Sequence, residues 1–354
     1  MGGRRSRADD GDPSARTRGA VNRRALLASA LGLLAPPARA QAPDKGEGPT
    51  PIAVRATPIE RFASGGQARF GALTFRSGLE LQAPEREFGG FSGLWRSGDG
   101  AELVAITDKA RWLTARVALA DGRLAGLHDA VLAPILGASG RPLRRSRFYD
   151  TEALAMGGGT AFVAVERSHG VLRFDWAKDG VRARAQAVPG PAELRDLPGN
   201  QGLEALGVAP PRSPLSGALV AVAERSRRGD GEPTRGFILS GPRAGAFDVA
   251  RADPFDVTDL AFLPSGEMLT LERRFSLLGG LGARIRRIPA NAIAAGRTVD
   301  GPVIFEADGS QEIDNLEGLS VHRGPSGETV LTLISDDNFS ALQRTLVLEF
   351  TLDG

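Results

Sequence analysis

Asn315-Leu-Glu-Gly-Leu-Ser-Val-His-Arg-Gly-Pro-Ser-Gly-Glu-Thr-Val-Leu-Thr-Leu-Ile-Ser-Asp-Asp-Asn338 reads as a single β-hairpin. Its first strand carries a carboxylate, Glu317, near the start. A turn follows at Arg323–Gly327, and the second strand, Val330 to Ile334, closes on Asp336 and Asp337. Alternating apolar residues bounded by Gly, Pro, Ser and Asp are the signature of a half-buried strand pair.

The same plan recurs along the chain. F-S-G-L-W from Phe91 precedes L-V-A-I-T-D-K ending at Lys109, and D-T-E-A-L from Asp150 precedes F-V-A-V-E-R ending at Arg167. N-Q-G-L-E-A-L from Asn200 is followed by L-V-A-V-A-E-R ending at Arg225, and V-T-D-L-A-F from Val257 by M-L-T-L-E-R-R ending at Arg274. With Ser92, Glu152, Glu204, Asp259 and Glu317 as markers, the steps are 60, 52, 55 and 58 residues. A period near 50 built from short strands predicts an all-β chain folded as one β-propeller of five to six four-stranded blades. The propeller is expected to span residues 52–354. Strand-like runs at Phe70–Phe75 and Leu79–Leu81 are expected to close the ring with Thr345–Leu352, since closure removes exposed strand edges.

Hairpin geometry turns the repeat into an expected site. The start of one antiparallel strand lies beside the end of the next. Glu152 is therefore expected beside Glu166, Glu204 beside Glu224, Asp259 beside Glu272, and Glu317 beside Asp336. Radial blades would gather these eight acids around one mouth of the central channel. Acids at strand ends also satisfy backbone amides or pair with a neighbouring blade's arginine, so each residue has a purely structural alternative.

The amino terminus reads differently from the rest. Asn22-Arg23-Arg24 runs into an apolar stretch from Ala25 to Leu34, and Ala38-Arg39-Ala40 supplies a small-x-small cleavage pattern. Residues 1–40 are read as a twin-arginine export signal, and 41–51 as a Pro/Gly linker, which places the mature protein in the periplasm or outside the cell. The apolar run is too short to span a bilayer. Residues 1–40 carry eight arginines and three aspartates, so the chain's net charge of +2 becomes −3 without them. With one Tyr and three Trp there is also no aromatic platform, and a nucleic-acid surface is not expected. The absence of cysteine excludes disulfides, thiolate metal sites, a cysteine nucleophile and a lipoprotein anchor.

Carboxylates and arginines remain as the available chemistry. Of His128, His169 and His322, only His169 follows a presumed mouth residue, Glu166. No G-x-S-x-G elbow, zinc-binding histidine cluster or P-loop occurs. A ring of Asp and Glu oxygens with Asn315 and Asn338 suits Ca²⁺, a hard ion taking six to eight oxygens. Arg167, Arg225 and Arg273 stand next to the acids, where they either neutralise them across blades or offer forks to a phosphate or carboxylate. The basic stretch at Leu119–Tyr149 reads as a solvated loop, a lid or a phosphate clamp, and Arg225–Arg235 is a second basic loop directly after a site carboxylate. The candidate catalytic residues are Glu204, Glu317, Arg225 and His169. Calcium with arginine makes a workable phosphoester-hydrolysing site, and the same groups would serve a propeller that only binds a small ligand or a protein. Sugar-lactone hydrolysis is a third reading.

F-G-G-F-S-G-L, D-T-E-A-L, N-Q-G-L-E-A-L, V-T-D-L-A-F-L-P-S-G and N-L-E-G-L-S-V with S-D-D-N-F together resemble the bacterial phytase-like proteins described by the "esterase-like activity of phytase". The resemblance runs from Phe88 to Leu352. It implies a β-propeller in an exported protein and hydrolysis of a small-molecule phosphoester or ester.

Overall fold

A computed structural model describes residues 48–353, apart from 147–148, 198–201, 226–230, 252–253 and 277–279. The expected export signal and the first part of the expected linker lie outside the described residues. Five mainly antiparallel sheets make up the fold, the third carrying one short parallel pair, Asp248–Val249 with Thr298–Val299. Their innermost strands are Phe91–Arg96, Thr151–Gly157, Leu203–Val208, Asp256–Phe262 and Asn315–Arg323. Each packs against the innermost strand of the blade before and after it, including the last against the first. The fold is a closed β-propeller with five blades.

The apolar runs noted above are second strands, and they are apolar throughout because both faces are buried. In Leu103-Val104-Ala105-Ile106, Leu103 and Ala105 enter the core between blades five and one, while Val104 and Ile106 enter the core between blades one and two. Leu219 and Ala221 against Val220 and Val222 divide in the same way in blade three. There is one such apolar core between every pair of neighbouring blades. The one between blades four and five is aromatic, with the Phe62 ring edge-on to Phe70 and Phe350 at centroid distances of 4.8 and 5.0 Å.

The ring closes as expected. Thr345–Leu352 is the third strand of blade five, and Leu73–Gln82, from the other end of the chain, pairs with it from Leu352↔Leu73 to Thr345↔Leu81. Arg55–Ile59 adds outside that strand. Two segments differ from their sequence reading. Thr50–Pro51, placed in the linker, is the outer edge of blade one, paired with Leu132 and Val131. Proline is tolerated there because an edge strand can do without one donor. Much of the stretch expected to interrupt the repeat is the fourth strand of blade one, Arg123–Pro134. Among the described residues no helix is long and apolar enough to cross a membrane.

Candidate functional site

Every innermost strand slips by one residue against its neighbour at the same point. Thr151 faces Val165 and Ala153 faces Ala164, which leaves Glu152 as the extra residue of a β-bulge. The same slip singles out Ser92, Glu204, Thr258 and Glu317. Bulges of this kind re-aim a side chain and increase local twist. Two of the five bulge side chains, both hydroxyls, tie neighbouring blades together. Ser92 Oγ donates to the Thr151 carbonyl at 2.6 Å, and Thr258 Oγ1 donates to the Leu316 carbonyl at 3.1 Å. The other three positions are glutamates.

A second ring lies one residue beyond the bulge, on each second strand or directly after it. It consists of Asp108, Glu166, Glu224, Arg273 and Asp336. The first three donate their backbone N–H to the carbonyls of Gly90, Asp150 and Gly202 at 2.9–3.1 Å. Arg273 and Asp336 face Asp256 and Asn315 in the ladder. Four blades carry an acid at this position, and blade four carries an arginine.

This register corrects two sequence assignments, both in blade four. Asp259 follows the bulge instead of occupying it. Its carboxylate is fully buried and accepts the N–H of Leu319 at 2.7 Å and of Leu260 at 2.8 Å, and the N–H of Leu206 also hydrogen-bonds to it. It therefore braces the innermost strands of blades three, four and five. Glu272 precedes the second ring position. It is buried among Arg284 Nε at 2.7 Å, Arg286 Nε at 2.6 Å and Thr270 Oγ1 at 2.8 Å. A strand alternates faces with a period of two, so a one-residue offset sends a side chain to the opposite face. Both carboxylates are occupied away from the mouth.

The other six predicted acids converge. Burial first, and then the charges of Glu317, Asp150 and Glu166, push Glu152 well above the usual carboxylate range. Glu204 is raised in the same way by burial and by Glu152, Glu224 and Glu317. Glu317 and Glu224 are raised by burial, with Arg273 pulling both back. Asn315 Nδ2 donates to Glu317 Oε1 at 2.8 Å. Asp336 is pushed to about 8, by burial and then by Glu317. Close carboxylates oppose one another's ionisation unless protons or a cation separate them.

Among the described residues, one acidic group has the geometry for a cation, and it joins two ring residues to Asp150. Asp150, Glu152 and Glu166 each offer an oxygen, and the three oxygens lie within 4.8 Å of one another. All-oxygen donors at this spacing fit a hard ion with ligand distances of about 2.3–2.6 Å after small side-chain adjustments. Asp150 was not among the expected ligands, although D-x-E places it two residues before Glu152. Asp108, which burial raises to about 6 and which directly precedes Lys109, was not expected there either.

The remaining candidates have other tasks. Arg225 pairs with Asp256 at 2.5 Å, and Arg251 pairs with the other oxygen of that carboxylate at 2.6 Å. His169 is the left-handed residue (φ 46°) ending the turn Glu166–Ser168, and its N–H donates to the Glu166 carbonyl at 2.9 Å. It thus positions the segment bearing Glu166. The side chain of Arg167 lies outside the described residues. His322 is buried far from either ring position, at the other end of its strand, 3.9 Å from Glu349. Asp337 accepts from the N–H of Gly90 and of Phe339 and from Thr345 Oγ1, at 2.9–3.0 Å. A Cβ at Gly89 would stand 2.5 Å from that carboxylate, and its φ of 128° suits only glycine.

No curated protein matches this chain. Among solved structures, the PQQ-bound aldose sugar dehydrogenase of Streptomyces coelicolor is 11% identical, covering 85% of this chain and 99% of its own, with a TM-score of 0.36. A candidate 6-phosphogluconolactonase of Bacteroides uniformis is 16% identical over 86% of this chain and 83% of its own, with a TM-score of 0.34. Residues 86–339, which contain both rings, match the phytase-like family described as "Esterase-like activity of phytase", and the chain belongs to that family.

Proposed function

We propose that the protein is an exported hydrolase of small-molecule phosphoesters or esters, with calcium held at Asp150, Glu152 and Glu166. The observation carrying this reading is the trio of oxygens within 4.8 Å of one another, set among carboxylates whose proton affinities are raised first by burial and then by one another's charge. Calcium bound there would polarise a phosphoryl or carbonyl oxygen. Glu204 and Glu317 are suited to proton transfer beside it. Burial and the charges of Glu152, Glu224 and Glu317 raise the proton affinity of Glu204, and burial raises that of Glu317 against the pull of Arg273. Either carboxyl would therefore be able to hold a proton and pass it on. Family membership supports the reaction class.

Two measurements test this proposal. Calcium should raise the melting temperature of the mature protein and a chelator should lower it, because an ion that binds only the folded state stabilises it by mass action. Glu204→Gln with Glu317→Gln should keep the fold and reduce turnover on a phosphoester and ester panel by about 100-fold or more, the usual scale of lost acid–base catalysis. A calcium-insensitive melt sinks the cation assignment. A calcium response without turnover above the double variant leaves a propeller that binds and does not hydrolyse. Export is tested separately. Replacing Arg23 and Arg24 with Lys should strand precursor in the cytoplasm, and undiminished periplasmic protein would count against the export signal.

A further inference from the structure

We infer that Arg273 is the anion-docking residue of the mouth, presenting its guanidinium to a phosphate or carboxylate group of the ligand. This rests on the hydrolase reading for the identity of the ligand, and on the structure for the residue.

Four observations single it out. Arg273 occupies the one second-ring position where the other blades carry Asp108, Glu166, Glu224 and Asp336. Its ion pairs are loose, at 3.3 Å to Glu317 and 3.8 Å to Glu224. Nearby arginines hold their partners much more tightly, Arg284 to Glu272 at 2.7 Å and Arg251 to Asp256 at 2.6 Å. Its Nε is buried without a hydrogen-bond partner, while the side chain as a whole remains 29% exposed. A guanidinium normally uses its fork to grip a planar anion at two points. Arg273 grips nothing that way, yet it stands among the acids with one face open.

The arrangement also gives Arg273 something to exchange. Without a cation it offsets part of the charge of Glu224 and Glu317. A cation at Asp150, Glu152 and Glu166 would add positive charge near Glu317, whose charge acts on Glu152. It would so ease the demand on Arg273 and leave its fork freer to take an oxyanion. Anion docking is therefore expected to be stronger when calcium is present.

The test uses the mature protein and inorganic phosphate, with calcium kept below the solubility limit of its phosphate salt. Phosphate should bind wild type by calorimetry. Arg273→Lys, which keeps the charge and loses the fork, should weaken binding by about tenfold, and Arg273→Gln by about a hundredfold, the range of a charge-assisted hydrogen-bond pair. Acetate distinguishes the two oxyanions. A parallel loss assigns both to Arg273, and a loss confined to phosphate assigns the phosphoryl group alone. Arg273→Gln also removes a positive charge from between two carboxylates, so its calcium-induced rise in melting temperature should equal or exceed that of wild type. That rise without any loss of phosphate binding would make Arg273 a counter-ion only and overturn the inference. Absence of phosphate binding to wild type at millimolar concentration would also overturn it. If calcium changes no melting temperature while phosphate binding still falls in both variants, the cation assignment fails and the docking role stands. Should Arg273→Gln not fold, Arg273→Lys carries the same comparison.

Discussion

His322 shows what burial does to a single titratable group in this ring. Desolvation, then Arg96 and Arg76, lower its pKa to about 3, while Asp99 and Glu328 oppose the shift. Its Nδ1 lies 3.4 Å from Thr332 Oγ1, and the Arg96–Glu349 pair beside it, at 2.7 Å, is buried. An unfolded histidine takes up its proton near pH 6.5. The folded one stays neutral down to about 3, so the unfolded state binds more protons throughout that window. Stability is therefore fully present above about pH 6.5 and is lost as pH falls toward 3, at up to about 1.4 kcal/mol per pH unit from this group. His322→Gln should flatten that part of the curve relative to wild type in urea titrations at a series of pH values. Parallel curves would mean that His322 is protonated in the fold. At this scale the sequence was a good guide to residue type and a poor one to register. Glu152, Glu204 and Glu317 lie where their spacing put them. Asp259 and Glu272 carry the same chemistry one residue out of step, and neither spacing nor composition reveals a bulge at Thr258.

At the scale of the element, the second strands were the most legible features. Runs such as Leu103–Ile106 and Leu219–Val222 sit between two cores and must be apolar on both faces. The outermost strands were the least legible. They are short or half-solvated, as in Gln186–Val188 and Thr50–Pro51, and they lack an alternation to read. Thr345–Leu352 stands apart because it serves two neighbours. It pairs with Thr329–Asp336 on one side and Leu73–Gln82 on the other. Ending the chain before Thr345 would expose two full edges and detach the amino-terminal strands from blade five. Such a protein should lose cooperative thermal unfolding altogether, as judged by calorimetry. A truncated chain melting like the full one would show that the strand is dispensable.

For the whole molecule, the closed ring is what makes the mouth. Each blade contributes one bulge position and one second-ring position, and although the proposed cation trio lies within blade two, the groups facing it come from three other blades. Asp150, Glu152 and Glu166 come from blade two, Glu204 and Glu224 from blade three, Arg273 from blade four, and Glu317 and Asp336 from blade five. The loose pairing of Arg273 with Glu224 and Glu317 links blade four to both neighbours. Any change that opens the ring should therefore disable the mouth before it unfolds the blades.

The pairing of Leu73–Gln82 with Thr345–Leu352 also sets a timetable. During synthesis the first of these strands emerges early, and its partner is made roughly 260 residues later. At about 5–20 residues per second that is a wait of tens of seconds. Throughout it an apolar strand has an open edge, the kind of surface that recruits other chains. Blade five can be finished only once Thr345–Leu352 has been made, so the mouth is completed later than blades one to four.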